Sequence, residues 1–484
     1  MKKYKPYQIV VIAAGLLMCF FGRFVPLSPT LGASGTQTLF IMAGGLLMWL
    51  LVGVDWTSMT VILALALIPE LGMNKAAAGT LGNSTVFYLL LCFMLARSLQ
   101  ITGVAHRLAV WFLTSSFSRK GAWCTIAMIF VSIFVLSSGL SSSSTIMIFL
   151  PILYEIFEAL GYKKGKGDVF PAVMIASLAI ICQIAQATTP ISHAMTLIGF
   201  SAYNSYTGNS LEFGQYVMVA MPVGILTAVS WFLVCRFVWK PDVSRMSKLD
   251  YDAIKGNLGP ISKAEKIAAV IYITVVILWL APGVSKYVLP SAYPFLNKIH
   301  QCYPPMVAIV LLNFIKVDDK PVLPYKEAIA AVPFSTLLFM GALLELGTVL
   351  ANPDIGVSTW LGETMGVFCT GVSPFTFVVV LAAMSVILTN FMSNSVTCAV
   401  CMAIAMPLST TLYAGSINPI VPATMITIGI NFAFATAPAT PPVAIAADSG
   451  WISAGRLLKY GTAAGIVGIM VMLAAGLPII NMVG

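Results

Sequence analysis

A hydroxyl-rich motif occurs twice in this chain and divides it into two related halves. The first copy reads Ser-Ser-Ser-Ser-Thr at 141–145 and is followed by Thr-Thr-Pro at 188–190. The second reads Ser-Asn-Ser-Val-Thr at 393–397 and is followed by Thr-Pro-Pro at 440–442. Matching positions are offset by 252 residues in both the motif and its companion segment. Two copies in register predict an internal repeat with one polar segment pair in each half.

The sequence around both copies is far too apolar for a soluble protein. Hydrophobic residues make up 59% of the 484 residues and charged residues only 9%, whereas roughly a quarter of a soluble domain is charged. Apolar runs long enough to cross a bilayer, about 17–25 residues, recur along the whole length. The chain is therefore expected to be an integral membrane protein with many spans. The net charge of +9 comes from basic residues in loops and does not indicate nucleic-acid binding.

Apolar stretches and the placement of basic residues predict the topology. Eleven spans are expected, near 7–22, 36–53, 56–72, 84–104, 168–204, 214–238, 264–282, 302–316, 328–350, 416–448 and 457–482. With the N-terminus in the cytoplasm, 21 of the 26 Lys and Arg residues fall on the cytoplasmic side, as the positive-inside rule requires. This orientation places the C-terminus outside, and we expect the chain in a bacterial cytoplasmic membrane.

Two further apolar stretches, 121–160 and 372–413, are long enough to enter the bilayer and return. Basic residues flank the first on both sides, whereas residues 352–415 contain no Lys or Arg. Both are therefore expected to be re-entrant hairpins that enter from opposite faces, with the hydroxyl motifs at their tips. Non-helical backbone at this depth needs partners from protein or a water-filled cavity, which two tips meeting near the midplane would provide.

The span after each hairpin, 168–204 or 416–448, carries the Thr/Pro segment in its middle. Proline removes a backbone donor and clashes with the preceding turn, so both helices are expected to break there. An odd number of spans per half, five, would invert the second half relative to the first. The predicted fold class is an all-α polytopic membrane protein with about eleven transmembrane helices, two re-entrant hairpins and two broken helices in an inverted repeat. The expected segments are an N-terminal span (1–35), a first repeat (36–238), a cytoplasmic linker (239–263) and a second repeat (264–484).

Oxygen atoms dominate the polar groups that these segments supply. Hydroxyls, the amide of Asn394 and carbonyls freed at the helix breaks suit a hard cation such as sodium without a buried charge. Ser137 and Thr389 lie one turn before Ser141 and Ser393 and would each add an oxygen on the same face. The half-helices that start at the tips would point free N–H groups at an anion. Alternatively, the hydroxyls bond back to their own helices or mediate close helix packing.

The pattern resembles the divalent anion/sodium symporters, the family of dicarboxylate and citrate transporters, whose hairpin tips carry Ser-Asn-Thr. Ser393-Asn394-Ser395 matches that tip with Ser in place of the final Thr, Pro407 suits the hairpin arm, and Ala439–Pro442 matches the broken helix beyond it. The resemblance covers the whole chain in span order, hairpins and orientation. It implies a homodimer with an elevator-like motion and two sodium sites, one per repeat, with sodium as the coupling ion and no other cofactor.

The same resemblance implies two sets of site residues. The expected substrate-binding residues are Ser142, Ser143, Thr188, Thr189, Asn394, Ser395, Thr440 and Pro441. The expected sodium-binding residues are Ser137, Ser141, Ser142, Ala187, Thr389, Ser393, Asn394 and Ala439.

Three further positions depart from the family pattern. The first tip has Ser142 where the family has Asn, and the Asn expected after the proline pair is Ile191 in the first half and Val443 in the second. The expected function is sodium-coupled secondary transport of small divalent organic anions, dicarboxylates above all. A sodium-independent anion exchanger of the same fold, or a transporter of sulfate- or sulfonate-like anions, is the alternative. An enzyme is not expected, because the chain has three histidines and no Asp-rich intramembrane motif.

Two ionisable residues near these segments have open roles. His193 follows the first Thr/Pro segment and either contacts an anionic substrate or is structural. Glu345 lies inside the span before the second hairpin, where a carboxylate is a candidate functional group; alternatively it pairs with Arg97 or lines an interface. Cys398 and Cys401 form a C-x-x-C spacing in an apolar hairpin arm, and we expect them to be buried free thiols.

Overall fold

Helices make up nearly all of the computed structural model, which describes residues 4–28, 31–193, 195–209, 211, 213–252, 259–369, 371–437 and 439–483. A short antiparallel pair of strands, Lys316–Val317 (β1) and Lys320–Pro321 (β2), makes a turn between two helices. The predicted all-α class is confirmed.

The α-helices follow one another in chain order, and their bounds are as follows. Before the linker they are α1 Pro6–Phe21, α2 Ala33–Leu51, α3 Asp55–Ala66, α4 Gly72–Gly79, α5 Ser84–Ile101, α6 Val104–Leu113, α7 Ala122–Gly139, α8 Ser142–Ala159, α9 Val169–Gln186, α10 Thr196–Thr207 and α11 Phe213–Val234. After the linker they are α12 Lys263–Val288, α13 Tyr293–Leu296, α14 Tyr303–Phe314, α15 Tyr325–Ala330, α16 Phe334–Ala351, α17 Val357–Cys369, α18 Pro374–Thr389, α19 Asn394–Thr410, α20 Ile420–Gly429, α21 Pro441–Asp448, α22 Ala454–Val471 and α23 Leu477–Val483. Short 3₁₀ turns occupy Gly22–Phe24, Ser118–Lys120 and Ser244–Lys248, and π turns occupy Cys235–Trp239 and Met472–Gly476.

Ten helical stretches among the described residues are long and apolar enough to cross a membrane. Two of them, α7 and α8, are the arms of the first predicted hairpin. Predicted spans 56–72 and 302–316 are shorter than expected, since α3 ends at Ala66 and α14 covers only Tyr303–Phe314. Pro304 explains where α14 starts. It occupies the first turn of this helix, where its missing N–H costs no helical hydrogen bond.

Both predicted hairpins are pairs of helices joined by a tight turn. In the first, α7 ends at Gly139 and α8 begins at Ser142; in the second, α18 ends at Thr389 and α19 begins at Asn394. The starts of the two arms keep the offset of 252 residues seen in the sequence motif. The duplicated sequence therefore folds into duplicated local structure.

Both predicted broken helices are broken at their Thr/Pro segments. The first break separates α9, which ends at Gln186, from α10, which starts at Thr196. The second separates α20, which ends at Gly429, from α21, which starts at Pro441. The first Thr/Pro segment lies inside its break, whereas the second lies at the end of its break, because Pro441 is the first residue of α21, a position that tolerates proline.

The helices divide into two groups by their packing. The first group contains α1–α5, α12 and α14–α16, and the second contains α7–α11 and α18–α23. Helices α6 and α17 precede the hairpins and contact both groups. Packing of α10 against α16 and of α11 against α12 joins the groups. The hairpins and broken helices thus lie together in one group.

The end of the predicted linker is fixed by a local capping pattern. Ser262 accepts a hydrogen bond from the Glu265 backbone N–H at 3.1 Å, and the Glu265 carboxylate accepts one from the Ser262 N–H at 2.6 Å. Arg107 of α6 lies 2.8 Å from the same carboxylate. This reciprocal cap starts α12 at Lys263 and ties the linker to the helix before the first hairpin.

The hairpin geometry generates a labelling prediction. Single cysteines replacing Val372 and Ser416, at the two ends of the second hairpin, should both react with a membrane-impermeant maleimide from outside, because a hairpin returns to the face it entered. Cysteines replacing Lys120 and Lys163, at the ends of the first, should react only after permeabilisation. All four single-cysteine variants are made in a protein from which the native cysteines have been removed. Labelling of the two ends of either hairpin from opposite faces would contradict the re-entrant fold.

Candidate functional site

The first serine of each motif caps the hairpin helix that follows it. The Ser141 hydroxyl oxygen accepts a hydrogen bond from the Ser144 N–H at 3.2 Å, and that of Ser393 accepts one from the Val396 N–H at 3.3 Å. A serine at this position satisfies one of the free N–H groups of the first turn. These two hydroxyls, predicted as cation ligands, therefore have a structural role at equivalent positions of the two halves.

The second tip contains a three-residue hydrogen-bond cluster. The Thr389 hydroxyl oxygen lies 2.8 Å from Oδ1 of Asn394 and 2.7 Å from the Ile430 carbonyl oxygen at the second break. The three residues of the cluster are buried, and Asn394 is only 7% exposed. Because a hydroxyl carries one proton, Thr389 can donate to only one of these oxygens at a time. The tip amide and the broken helix therefore compete for the same donor.

Asn390 holds the second break against the second hairpin. Its amide nitrogen donates to the Val386 carbonyl at 2.7 Å and to the Phe432 carbonyl at 3.1 Å, and its oxygen accepts from the Ala435 N–H at 2.7 Å. Two backbone groups of non-helical chain are satisfied by this one side chain. Asn390 lies outside the repeated hydroxyl motif and was not among the predicted site residues, although it is only three residues before the Ser393 cap.

An equivalent contact joins each hairpin to the break of its own half. The Thr189 hydroxyl donates to the Ser138 carbonyl, and the Thr436 hydroxyl donates to the Asn390 carbonyl. Ser138 and Asn390 are offset by 252 residues, whereas the two threonines are not. Thr436, and not the sequence-matched Pro441, is therefore the structural counterpart of Thr189.

Each second half-helix crosses to the opposite half of the chain. Helix α10 packs against α19 and α20, and α21 packs against α8 and α9. At the first crossing, the Ser395 hydroxyl lies 2.9 Å from the sulfur of Met195, just before α10. His193 follows in the same break, and Nδ1 of its imidazole has no hydrogen-bond partner among the described residues. Each tip is thus surrounded by residues from both halves.

Several buried hydroxyls at the tips and breaks have no hydrogen-bond partner among the described residues. They belong to Ser137, Thr196, Thr397 and Thr440. Buried polar atoms in proteins are almost always satisfied by protein, water or ions. Hydroxyl oxygens beside helix breaks are the type of ligand that a sodium ion prefers, so the residues present are compatible with the predicted coupling ion.

The remaining predicted site residues differ in their burial and in their hydrogen bonds. The Ala187 carbonyl accepts a hydrogen bond from the Tyr216 hydroxyl at 2.6 Å, so one of its two lone pairs is already used. The Thr188 hydroxyl bonds back to the Ala185 carbonyl of its own helix, as the alternative interpretation of these hydroxyls expects. Ser142 and Ala439 are buried, and Ser143 is half-buried. Between residues 141–145 and 393–397, both fully described, no direct hydrogen bond forms.

Glu345 does not pair with Arg97. Arg97 instead forms an ion pair with Glu327 at 2.7 Å. Glu345 is 4% exposed and packs against Gly79, where a side chain would collide with the carboxylate. The carboxylate therefore lies inside the first helix group, away from the tips.

The Asn390 contacts generate a stability prediction. Replacing Asn390 by Ala should leave the Phe432 carbonyl and the Ala435 N–H buried without partners, at a cost of about 1–3 kcal/mol each. The apparent melting temperature of the purified protein in detergent should fall clearly. The matched control is Ser138→Ala at the equivalent position, where the hydroxyl bonds only to the Val135 carbonyl of its own helix. Equal melting temperatures for the two variants would contradict the role assigned to Asn390.

Comparison with known proteins agrees with this architecture. The citrate transporter family matches residues 38–429. The sodium-dependent dicarboxylate transporter SdcS of Staphylococcus saprophyticus is 24% identical over 97% of this chain and 91% of its own length. Human solute carrier family 13 member 4 is 23% identical over 65% of this chain and 55% of its own length.

Two solved structures share the fold. The YdaH transporter of Alcanivorax borkumensis has a TM-score of 0.56 at 13% identity, covering 99% of both chains. MtrF of Neisseria gonorrhoeae has a TM-score of 0.53 at 13% identity, covering 97% of this chain and 94% of its own. The resemblance drawn from the tip and break motifs is confirmed over more than half of the sequence: the chain belongs to the citrate transporter family of divalent anion/sodium symporters.

Proposed function

We propose that this transporter couples sodium ions to the movement of small divalent organic anions, with dicarboxylates as the preferred class. The observation that carries the proposal is the cluster of Thr389, Asn394 and Ile430, in which one hydroxyl reaches both a tip amide and a carbonyl freed by a helix break. Relatives described as sodium-dependent dicarboxylate transporters support it.

The cluster suggests how a cation and an anion would depend on each other. A sodium ion bound at the Ile430 carbonyl and the Thr389 oxygen repels the hydroxyl proton, which then points to Oδ1 of Asn394. That bond fixes the amide with its N–H groups toward the site, where they can donate to a carboxylate. Without the cation, the proton is drawn to the Ile430 carbonyl and the amide loses this restraint. Because linkage is reciprocal, the anion strengthens sodium binding by the same factor.

The substrate would lie between the two tips. Asn394 and Ser395 would hold one end, Ser142 and Ser143 the other, and Thr189 and Thr440 would line the breaks beside them. The first turns of α8 and α19 direct backbone N–H groups toward the same region, which favours an anion. Of the tip residues, Asn394 supplies an amide and Ser142 only a hydroxyl, so the two ends are unequal.

An elevator-like motion of the second helix group against the first fits the contact between them. The surface where α2 and α16 meet α10 and α19 is lined by apolar and small side chains, with few directional bonds to break. These residues are Met42, Leu46, Ile198, Ser201, Ala202, Tyr206, Leu343, Leu344, Leu346, Gly347, Leu350, Ala399, Met402 and Ala403. The inverted orientation of the halves, the homodimer and the cytoplasmic N-terminus stay predictions.

Uptake into proteoliposomes tests the proposed function. An inward sodium gradient should drive accumulation of a labelled C4 dicarboxylate, and replacing sodium by choline should abolish it. Unlabelled sulfate serves as the competitor that separates the anion classes. Equal uptake with and without sodium, dependent on internal anion, would replace the symporter by the exchanger alternative.

The two tips offer different hydrogen-bond donors, an amide at Asn394 and a hydroxyl at Ser142, and this difference generates a mutational prediction. Asn394→Ala should weaken apparent dicarboxylate affinity by about ten- to a hundredfold, the worth of a hydrogen bond to a charged group. Ser142→Ala should weaken it less, because a hydroxyl has only one proton to donate. Thr389→Val, which keeps the shape of Thr389, should weaken sodium activation and substrate affinity together. Wild-type affinity in Asn394→Ala would place the site elsewhere.

A further inference from the structure

The first tip is held by residues of the first helix group. Nε2 of Gln100, near the end of α5, donates to the Ser144 hydroxyl at 2.9 Å, and the Tyr272 hydroxyl of α12 donates to the Gly139 carbonyl. Ser144 also lies 2.8 Å, oxygen to oxygen, from the Ser141 cap. A side chain from outside the hairpins thus takes part in the polar structure of the first tip.

The orientation of the Gln100 amide is fixed by its other neighbour. A nitrogen of Arg97 lies 3.3 Å from Oε1 of Gln100, and Arg97 is itself held by Glu327 at 2.7 Å. A guanidinium can only donate, so the amide oxygen must face Arg97 and the amide nitrogen must face the hairpin. One N–H is used by Ser144, and the second has no partner among the described residues. Gln100 therefore has a donor to offer at the tip.

A pocket of about 390 Å³, open to the surface of the protein, lies beside this donor and is lined by residues of α5, α6 and α8. Its polar lining consists of Gln100, His106, Ser143 and Ser144, and none of its described lining residues is acidic. Ser143 lies in the first turn of α8, where backbone N–H groups are also free. Side-chain and backbone donors without a carboxylate nearby make this pocket suited to an anionic group.

The two halves of the chain supply amides from different places. Helices α5 and α16 precede the two hairpins, have the same length of 18 residues, and occupy equivalent places in the repeat. At the offset of 252 residues, Gln100 corresponds to Asn352, just after the end of α16. The Asn352 amide oxygen accepts a hydrogen bond from the Asp354 N–H at 3.0 Å, and its side chain makes no hydrogen bond to residues 393–397, all of which are described. Conversely, the first tip has Ser142 where the second has Asn394. Each tip is thus served by one amide, from the neighbouring helix in the first half and from the hairpin itself in the second.

We propose that Gln100 replaces the amide missing from the first tip, and forms with Ser143 a subsite for the carboxylate that Asn394 does not hold. This inference rests on the proposed transport of dicarboxylates. It assigns a substrate contact to a helix outside the hairpins and broken helices. Because α5 belongs to the first helix group, the subsite is complete only while the first tip is docked against α5. Arg97 and Glu327 act as positioning residues that orient Gln100.

Two substitutions at Gln100 separate a substrate contact from a purely structural one. Gln100→Ala removes the donor, so the KM for a C4 dicarboxylate should rise by about tenfold or more. Gln100→Glu keeps the length and the Arg97 contact and can still accept a hydrogen bond from Ser144. It places an acceptor with negative charge at the subsite, so the KM should rise further than in Gln100→Ala. The control is Thr102→Val at the residue that follows α5, whose hydroxyl donates to the Ser98 carbonyl and which does not line the pocket.

The same uptake experiment in proteoliposomes also measures the sodium dependence of the Gln100 variants and includes the Asn394→Ala variant for comparison. The concentration of sodium for half-maximal uptake, measured at saturating dicarboxylate, should match wild type in both Gln100 variants, since Gln100 lies at the other tip from the Thr389 cluster. If Gln100→Glu transports as well as wild type or better than Gln100→Ala, Gln100 is only structural and the inference is overturned. Loss of uptake in Asn394→Ala with normal uptake in both Gln100 variants overturns this inference alone. Normal uptake in all three overturns the proposed site as well.

Discussion

Backbone groups released at a helix break inside a membrane protein must find partners, because no bulk water is there to satisfy them. The second break of this chain meets the requirement with the amide of Asn390 and the hydroxyl of Thr389. The first break meets it with the Tyr216 hydroxyl, which donates to the Ala187 carbonyl, and the Gln186 amide, which donates to the Ser192 carbonyl. In return, Thr189 and Thr436 in the breaks donate to carbonyls of the hairpins. Each hairpin is consequently bound to the break of its own half by directional bonds.

Crossing of the second half-helices ties the two units to each other. Since α10 packs on the second hairpin and α21 on the first, a change at one tip is transmitted to residues of the other half. Met195 is an example, because it lies in the first break and contacts Ser395 of the second hairpin. This arrangement would allow the proposed cation and anion sites to influence each other.

Local features of the structure could be predicted from the sequence, and tertiary ones could not. The hairpins and their caps follow from a serine placed before an apolar helix, a signal contained within a few residues. The presence of both breaks follows from prolines within long apolar spans, but their lengths could not be predicted, because they depend on where the helix before each break ends. Asn390 and Gln100 were missed because their roles depend on partners 45 and 44 residues away in the chain. Pairing of Glu345 with Arg97 was wrong because Glu327, on the short helix α15, reaches the guanidinium instead.

Exchange of the half-helices between the two halves is the central claim of this account, and crosslinking tests it most directly. Cysteines replacing Met195 and Ser395, in a background without native cysteines, should be joined by a short bifunctional thiol reagent, because the two side chains are in contact. A protease site placed in the 239–263 linker reports the result, and the two single-cysteine variants are the controls. The two halves of the double variant should migrate as one band after cleavage under denaturing conditions. Separate halves, with both cysteines shown to have reacted, would contradict this exchange of half-helices.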